Sequence, residues 1–408
     1  MLAAAAMACG PSVGAEVHAE GTAGGSETGA PLEPELEPEA DPCFATRVLY
    51  EGLLIGDVQL ADTRGDGIPE IWLSWVDLEA SPRRIASTGF ARAGEGHTIF
   101  GGAQFPSTTV VWADLDGDGR DDAIYAPRRD GVTSWAGRRS DPAGVPAPDL
   151  EMQLSLPARA HPVAWFDVTL DGRADSFASE GGVLQIAAGD GVGGFSPSTT
   201  ISLEPWDSVH SILPSRVDPR AFAVRLNTTC AGCPTAVTLV APVGHGGAAV
   251  RYATSALLDD PLMLDMRPID DEDDRPDVVV RHVVSTGERV VDVFLAQDDG
   301  TLRSVRQIPV GDAALAGDFD GDGRLDLIWR RDEEETYVLF DVVGASEPRR
   351  VEVDPLPFEI DGLSSPNPPG LRRPPVADID GDGRDEIVQW RYVEDSAHLE
   401  AIEVVDCL

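Results

Sequence analysis

One nine-residue pattern recurs along the chain and limits its possible folds more than any other feature. The pattern reads acid, any residue, acid, Gly, Asp, Gly, any two residues, acid, and each copy lies between short apolar segments. The complete copies are DLDGDGRDD (114–122), DFDGDGRLD (318–326) and DIDGDGRDE (378–386), and the altered copies are DVTLDGRAD (167–175) and DTRGDGIPE (62–70). We number the positions of this loop 1 to 9.

The spacing of the copies indicates seven units. They start at residues 62, 114, 167, 318 and 378, and an acidic remnant, DDEDDRPD, starts at Asp270. The gap of 103 residues between 167 and 270 is about twice the usual gap, which predicts a unit without a loop near Asp218. The 365 residues from Cys43 to Cys407 then hold seven units of about 52 residues.

Each unit is long enough for four strands. The third unit contains HPVAWFDV, SFASE, GGVLQIAAG and STTISLE, which are short segments rich in Val, Ile and aromatic residues and separated by Gly/Asp turns. No segment keeps the 3.6-residue period of an amphipathic helix. The 42 glycines and 32 prolines also favour many turns over helices.

A four-stranded sheet cannot bury both of its faces alone, so repeated sheets must pack face to face in a ring. The sequence therefore predicts an all-β fold, a seven-bladed β-propeller of four-stranded antiparallel blades. The last unit is one strand short, and CFATRVLYEG at the start is one strand too many. We expect the N-terminal strand to complete the last blade and close the ring.

The loops have the composition of Ca²⁺ sites, because Ca²⁺ takes six to eight oxygen ligands and these loops space acids at positions 1, 3, 5 and 9. The glycines at positions 4 and 6 allow the chain to coil around an ion, and the carbonyl group at position 7 can add a ligand. An EF-hand is disfavoured, since its closing acid stands at position 12 between helices. The alternative is a set of solvated acidic turns that bind nothing.

The repeats resemble the FG-GAP/VCBS repeats of integrin α-subunit propellers and bacterial surface proteins, over residues 43–407. The resemblance implies Ca²⁺ as the cofactor, held by loops between the first two strands of a blade. The implied ligands in the complete loops are Asp114, Asp116, Asp118, Arg120, Asp122, Asp318, Asp320, Asp322, Arg324, Asp326, Asp378, Asp380, Asp382, Arg384 and Glu386. Those in the altered loops are Asp167, Thr169, Asp171 and Asp175, with a weaker set of Asp62, Asp66 and Glu70, where the cation Arg64 competes with the metal.

The formal net charge is −40, and all 31 basic residues are arginines. Such a chain is not expected to bind nucleic acid or an anionic membrane surface. No run of 18 apolar residues occurs. Contact with a membrane is therefore expected only through a lipid anchor.

The start, MLAAAAMACG, resembles a signal-peptide end and lipobox at residues 1–9, with Cys9 as the acylated residue. Residues 10–42 are rich in Gly, Glu and Pro and read as a disordered tether before the propeller at 43–408. This predicts an exported chain, either an outer-membrane or cell-surface lipoprotein or a secreted protein. The alternative is an incidental free Cys9 in a disordered tail.

Four further cysteines, an even number, suggest disulfides in an exported chain. Ring closure would bring Cys43 beside Cys407. Cys230 and Cys233 could be a redox pair, but no helix is expected after them, which favours a disulfide in a hairpin loop.

The sequence contains no local catalytic motif. The RGD tripeptide at 64–66 lies inside a loop of the metal type, the GDGVGG stretch at 189–194 joins two strands, and the seven histidines are scattered. The tryptophans are expected to pack between blades, and the disfavoured alternative is that they stack against sugars. They stand at positions 75, 112, 135, 165, 206, 329 and 390.

Three functions are consistent with these features. The first is a non-enzymatic Ca²⁺-binding surface propeller, a monomer that binds an unidentified protein or glycan ligand in adhesion. The second is a polysaccharide-active enzyme or enzyme subunit with an axial active site. The third is a structural module with no ligand beyond Ca²⁺.

Overall fold

The computed structural model describes a large part of the chain. The described residues are 44–52, 57–77, 84–93, 96–107, 110–126, 128–129, 132–157, 162–203, 208–216, 218, 220–227, 236–243, 248–254, 258–269, 275–311, 314–330, 335–344, 348–351, 376–393 and 396–404. They all belong to one compact unit, Asp41–Leu408. No α-helix occurs among them, and therefore none long and apolar enough to cross a membrane.

The strands are assigned to blades in their order along the chain. The first strand and the four strands of blade 1 are β1 (Phe44–Gly52), β2 (Asp57–Ala61), β3 (Glu70–Asp77), β4 (Arg84–Ala93) and β5 (Gly96–Phe105). Blade 2 and its short extra hairpin comprise β6 (Val110–Ala113), β7 (Asp122–Tyr125), β8 (Arg128–Arg129), β9 (Val132–Thr133), β10 (Trp135–Ser140) and β11 (Pro146–Leu154). The hairpin is β8–β9, and the blade has the order β6-β7-β10-β11.

Blade 3 comprises β12 (Pro162–Phe166), β13 (Asp175–Glu180), β14 (Val183–Gly189) and β15 (Phe195–Ser202). Blade 4 comprises β16 (Ser208–Pro214), β17 (Phe222–Asn227), β18 (Ala236–Val243) and β19 (Ala248–Thr254). Blade 5 comprises β20 (Asp259–Arg267), β21 (Asp277–Val283), β22 (Arg289–Ala296) and β23 (Thr301–Val310).

Blade 6 comprises β24 (Ala314–Gly317), β25 (Asp326–Arg330), β26 (Thr336–Leu339) and β27 (Arg349–Val351). Blade 7 comprises β28 (Val376–Ala377), β29 (Glu386–Val393) and β30 (Ser396–Val404), with β1 as its fourth strand. The chain is thus a seven-bladed β-propeller of four-stranded antiparallel blades, and the predicted fold class is confirmed.

The first and last strands close the ring as predicted. Strand β1 runs antiparallel to β30, from the pair Phe44–Val404 to the pair Gly52–Ala397. Blades 7 and 1 also share a buried cluster in which Ile71 packs with Leu399. Both the strand pairing and the core therefore continue across the point of closure.

Blade 4 is the unit predicted to have lost its loop. The connection between β16 and β17 covers residues 215–221, and Asp218 in it forms an ion pair with Arg220 at 2.8 Å. Its outer strand β19 also pairs in parallel with β23 of blade 5, through Ala253–Thr301 and Thr254–Leu302. Blades 4 and 5 therefore share a continuous eight-stranded sheet.

The core lies between neighbouring blades, because each blade is buried on both faces. Phe177 of blade 3 packs against Phe222 of blade 4, and Leu264 of blade 5 packs in one cluster with Leu327 of blade 6. Consecutive residues of β21 are buried, as expected for a strand covered on both sides. The first strands of neighbouring blades contact each other and so lie around the ring axis.

Candidate metal centres

Every acidic loop that the structure describes in full joins the first and second strands of its blade, on one face of the ring. Position 1 organises the loop. Asp114 accepts hydrogen bonds from the backbone N–H groups of Gly117 (2.7 Å) and Gly119 (2.8 Å), and both glycines have positive φ, at 81° and 83°. Glycine adopts this geometry without strain, which accounts for the glycine at position 6 of all five loops and for the glycine at position 4 of four of them.

Three loops bring three carboxylates together. The ligand oxygens of positions 1, 3 and 9 lie within 4.8 Å of one another in blades 2, 6 and 7. These triads are Asp114/Asp116/Asp122, Asp318/Asp320/Asp326 and Asp378/Asp380/Glu386. Nine of the predicted ligands are thus placed in three compact groups.

Position 5 is not part of these groups. Asp118 accepts the backbone N–H of Arg120 at 3.0 Å and contacts the Arg120 guanidinium. Asp322 and Asp382 accept the backbone N–H groups of Arg324 (2.8 Å) and Arg384 (2.9 Å) in the same way. The acid at position 5 therefore binds the N–H group of position 7, not the carbonyl group that was predicted as a ligand.

Position 9 has a structural role that the sequence analysis did not find. Asp122 accepts the N–H of Leu115 (3.1 Å) with one oxygen and that of Ser140 (2.7 Å) with the other. In blade 5, Asp277 accepts the N–H groups of Ile269 and Ala296, both at 2.9 Å. In these two blades the closing acid thus fixes the start of the loop to the third strand, and the acid that ends the 270–277 remnant keeps this role.

The triads contain buried acceptors that suit a cation. Oδ1 of Asp380 and Oε1 of Glu386 are buried with no hydrogen-bond partner, and Asp380 is 9% and Glu386 0% exposed. Oδ1 of Asp116 in blade 2 is also buried without such a partner. A buried carboxylate oxygen without a donor is costly, and a hard divalent cation at the triad would satisfy it. The residues present therefore fit Ca²⁺.

Two triads also meet an arginine on the other oxygen of position 3. Arg139 of β10 lies 3.1 Å from Oδ2 of Asp116, and Arg47 of β1 lies 3.6 Å from Oδ2 of Asp380. Each guanidinium holds the carboxylate from one side. The second oxygen, Oδ1, is the buried one without a hydrogen-bond donor in both residues.

The surroundings favour protonated acids when no cation is bound. Burial, with a smaller effect from the neighbouring carboxylates of Asp380 and Asp378, raises the pKa of Glu386 to about 8. Burial is also the main cause that raises the pKa values of Asp122 and Asp326 to about 7, against the lowering effect of backbone hydrogen bonds to both groups. A bound cation would favour the ionised forms, so metal binding would release protons.

The altered loops of blades 1 and 3 keep the backbone design but form no carboxylate triad among the described residues. In blade 3, Thr169 replaces the acid at position 3, and its hydroxyl lies 3.4 Å from Asp167 and 3.5 Å from Asp175. Leu170 at position 4 has a φ of 58°, a region that favours glycine. The predicted ligands Asp167 and Asp175, at positions 1 and 9, thus lack an acid at position 3 between them, while Asp171 stands at position 5.

In blade 1, Arg64 stands at position 3. Its guanidinium lies 3.8 Å from Oδ2 of Asp66 and 3.8 Å from Oε1 of Glu70, while Asp62 accepts the N–H groups of Gly65 and Gly67. The RGD tripeptide is therefore bonded within its own loop, as expected from its position.

Neighbouring loops are joined by backbone hydrogen bonds that no sequence pattern indicated. Position 8 of one blade donates its N–H to the carbonyl of position 1 in the preceding blade: Asp121 to Asp62 (2.8 Å), Ala174 to Asp114 (2.6 Å) and Asp385 to Asp318 (2.7 Å). The loops of blades 1, 2 and 3 form one chain of contacts, and those of blades 6 and 7 form another.

An ion-pair network crosses the ring axis near these loops. Arg216 follows the first strand of blade 4 and pairs with Asp385 of blade 7 (2.7 Å) and Asp265 of blade 5 (3.3 Å). Arg267 pairs with the same Asp265 at 2.9 Å. Because blades 4 and 7 are not neighbours, the Arg216 side chain spans the centre of the ring.

Other residues singled out in the sequence, where the structure describes them, are packing or turn residues. Trp72, which the sequence analysis left unassigned, is fully buried and stacks on the half-buried Trp112, and Trp329 is buried. Trp135 and Trp165 are half-buried and in contact. The side chains of Trp75, Trp206 and Trp390 lie outside the described residues. The GDGVGG stretch is a turn between β14 and β15, as predicted.

Several predictions fall on parts of the chain that the structure does not describe. These are the lipobox and Cys9, the tether at 10–42, and the cysteines Cys43, Cys230, Cys233 and Cys407. They stay predictions.

The comparisons with known proteins give no family. No family model matches the chain, and no curated protein matches it in sequence. Among solved structures, the chain is similar to a lectin of Agrocybe aegerita described for its specific recognition of non-reducing terminal N-acetylglucosamine. That match has 17% sequence identity and a TM-score of 0.47, and it covers 73% of this chain and 80% of the other.

Proposed function

We propose that this protein is a Ca²⁺-binding β-propeller with FG-GAP/VCBS-type repeats, exported from the cell, that presents its loop face to a protein or glycan ligand. The observation that carries the calcium proposal is the triad of blade 7, where two buried carboxylate oxygens lack a hydrogen-bond donor. Blades 2 and 6 repeat the same acid triad at positions 1, 3 and 9.

Calcium would act on the loop face and through it on the ring. Each ion would hold position 1 to position 9, and in blade 2 position 9 is already fixed to the third strand by its hydrogen bond to Ser140. Since position 8 of one loop bonds to position 1 of the loop before it, an ion in one blade would also stiffen its neighbour. A face of this kind is a preorganised surface on which a ligand loses little conformational freedom by binding.

The axial network supports a binding role over the alternative of a polysaccharide-active enzyme. An axial active site requires an open pocket with acids available to substrate. Asp265 is buried and paired with two arginines, and Asp385 is paired with Arg216. Both of these acids at the axis are therefore already paired with arginines. The loop face is the surface that we propose for the ligand.

Export and anchoring complete the proposal. Acylation at Cys9 would place the ring at a cell surface beyond the tether at 10–42, and the disulfides Cys43–Cys407 and Cys230–Cys233 would suit an oxidising compartment. Mass spectrometry of the protein from its native cells, with and without reduction, tests both points.

Isothermal titration of the full chain, stripped with EDTA and dialysed, tests the calcium proposal. We expect binding of three Ca²⁺ ions, one for each triad, and a higher melting temperature with Ca²⁺ than with EDTA. Mg²⁺ serves as the control, because it demands a tighter octahedral geometry and should bind more weakly. Absence of binding heat together with an unchanged melting temperature would refute the proposal.

A glycan array and a pull-down from the native cell surface, each with Ca²⁺ or EDTA, would identify the ligand. Binding that disappears with EDTA supports the loop face as the ligand surface. Ligand binding of equal strength in EDTA would contradict that assignment.

A further inference from the structure

The loop of blade 1 keeps the whole framework of a metal-type loop. Asp62 accepts the N–H groups of Gly65 (2.7 Å) and Gly67 (2.8 Å), as Asp114 does for its two glycines. Glu70 at position 9 accepts both the N–H (2.8 Å) and the hydroxyl (3.0 Å) of Thr63. What differs is position 3, which holds Arg64 in place of an acid.

The guanidinium of Arg64 lies among the acids that would bind an ion. It is 3.8 Å from an oxygen of Asp66 at position 5 and 3.8 Å from an oxygen of Glu70 at position 9. In blade 2 the position 5 acid, Asp118, contacts the guanidinium of Arg120 at position 7. Blade 1 has Ile68 at position 7, so Arg64 is the cation of its own loop.

The formal charges agree with this arrangement. At positions 1, 3, 5 and 9, blade 7 has four carboxylates, which with one Ca²⁺ leave a charge of −2. Blade 1 has three carboxylates and one guanidinium at the same positions, which also leave −2. Either cation relieves the repulsion between acids held at short range.

The neighbouring blade makes room for the arginine. Gly144, in the turn between β10 and β11, has a φ of 84°, and a Cβ there would lie 2.7 Å from Cγ of Arg64 and 3.1 Å from the Thr63 hydroxyl. The Arg64 stem is therefore packed against the backbone of blade 2. This contact favours the orientation in which the guanidinium meets its acids.

We propose that Arg64 is a built-in cation that takes the place of Ca²⁺ in blade 1, so that this loop is held without metal and rejects it. The proposal rests on the proposed calcium function for the other loops. It assigns Asp66 and Glu70 to ion pairs with Arg64, while Asp62 holds the backbone of the loop.

Exchange of Arg64 for aspartate tests the proposal by creating a site. The Arg64→Asp variant carries Asp, Asp, Asp and Glu at positions 1, 3, 5 and 9, the same acids as blade 7. Native mass spectrometry and isothermal titration should count one more Ca²⁺ than in the wild type. Arg303→Asp, which makes the same charge change on an exposed outer strand, is the control and should bind the wild-type number.

A second variant tests, in the absence of metal, whether the positive charge of Arg64 stabilises the loop. In EDTA, Arg64→Gln should melt about 2 °C below the wild type, because Asp66 and Glu70 then lack their counter-ion, and it should gain no Ca²⁺. If Arg64→Asp folds only with Ca²⁺, that result also supports the proposal.

Two results would overturn the inference: a wild-type ion count in Arg64→Asp, or a wild-type melting temperature of Arg64→Gln in EDTA. If the wild type itself binds no Ca²⁺, the proposed function fails. The Arg64→Gln measurement still decides whether Arg64 is the counter-ion of its loop.

Discussion

Arg216 of blade 4 donates a hydrogen bond from Nη1 to Oδ2 of Asp385 in blade 7, at 2.7 Å, and so connects two blades that are not neighbours in the ring. The same carboxylate oxygen accepts the backbone N–H of Asp318 at 2.9 Å. A second nitrogen of Arg216 donates to the carbonyl of Val376, and its Nε pairs with Asp265. One side chain therefore holds blades 4, 5 and 7 together at the axis and touches the residue that joins two candidate metal loops.

We expect Arg216→Met to lower the free energy of unfolding by about 1–3 kcal/mol, as measured in urea. Removal of one partner from a fully buried ion pair costs about 3–5 kcal/mol, and the effect is smaller here because Arg216 is about one-third exposed and Asp265 keeps Arg267. Arg220→Met is the matched control. Arg220 pairs with Asp218 within the same loop at the surface, and its loss should cost much less than the loss of Arg216. Equal losses in the two variants would contradict a special role of Arg216.

Glu386→Gln should abolish one calcium site without weakening the metal-free protein. Burial raises the pKa of Glu386 to about 8, so at pH 7 the metal-free protein holds this group mostly protonated, and glutamine has nearly the same shape. We expect an unchanged melting temperature in EDTA, one fewer Ca²⁺ ion by titration, and a smaller rise of melting temperature with Ca²⁺. Glu180→Gln, in an exposed position at the end of β13, should keep the wild-type ion count.

The metal-free protein should lose stability as the pH rises from about 5 to about 8. Glu386, Asp122 and Asp326 have pKa values of about 8, 7 and 7 in the folded chain, above the usual values of carboxylic acids. The folded state therefore binds more protons than the unfolded state in this interval, and its advantage disappears as these groups ionise. Urea unfolding in EDTA at pH 5, 6, 7 and 8 measures the slope. Saturating Ca²⁺ should reduce it, and a stability that rises with pH in EDTA would contradict the assignment.

Asp277→Asn should destabilise the protein by about 1–3 kcal/mol, equally with and without Ca²⁺. Both oxygens of Asp277 accept backbone N–H groups, from Ile269 and Ala296, and an amide can accept only one of them. Urea unfolding in Ca²⁺ and in EDTA measures the two values. Asp259→Asn, at an exposed position of β20, is the control. A loss confined to the Ca²⁺ series would show that Asp277 acts through a metal.

The fold was predictable because its signals are periodic. The regular spacing of the loops, the short Val/Ile segments and the surplus strand at the start predicted seven blades, the loop-free blade near Asp218 and the pairing of β1 with β30. Each of these follows from local composition and from the need of every sheet to bury two faces.

The details of the site were less predictable, because they depend on which partner a polar group meets in three dimensions. The sequence has an acid at position 5 and another at position 9. In the structure Asp118 contacts the guanidinium of Arg120, whereas Asp122 accepts two backbone N–H groups. The residues around each acid do not indicate which partner it meets, because one partner of Asp122, Ser140, is 18 residues away in the sequence. The axial ion-pair network is even harder to predict from the sequence, because Arg216 and Asp385 are 169 positions apart.

The closure of the ring by β1 has a consequence for how the protein is made. Phe44 is synthesised early and its partner Val404 is 360 residues later, so during translation β1 has no strand to pair with. Until β30 emerges, six blades can assemble in order while an unpaired edge strand waits at the N-terminal side, open to association with other nascent chains. Correct folding of the ring therefore requires that β1 does not pair with another chain before β30 has been synthesised.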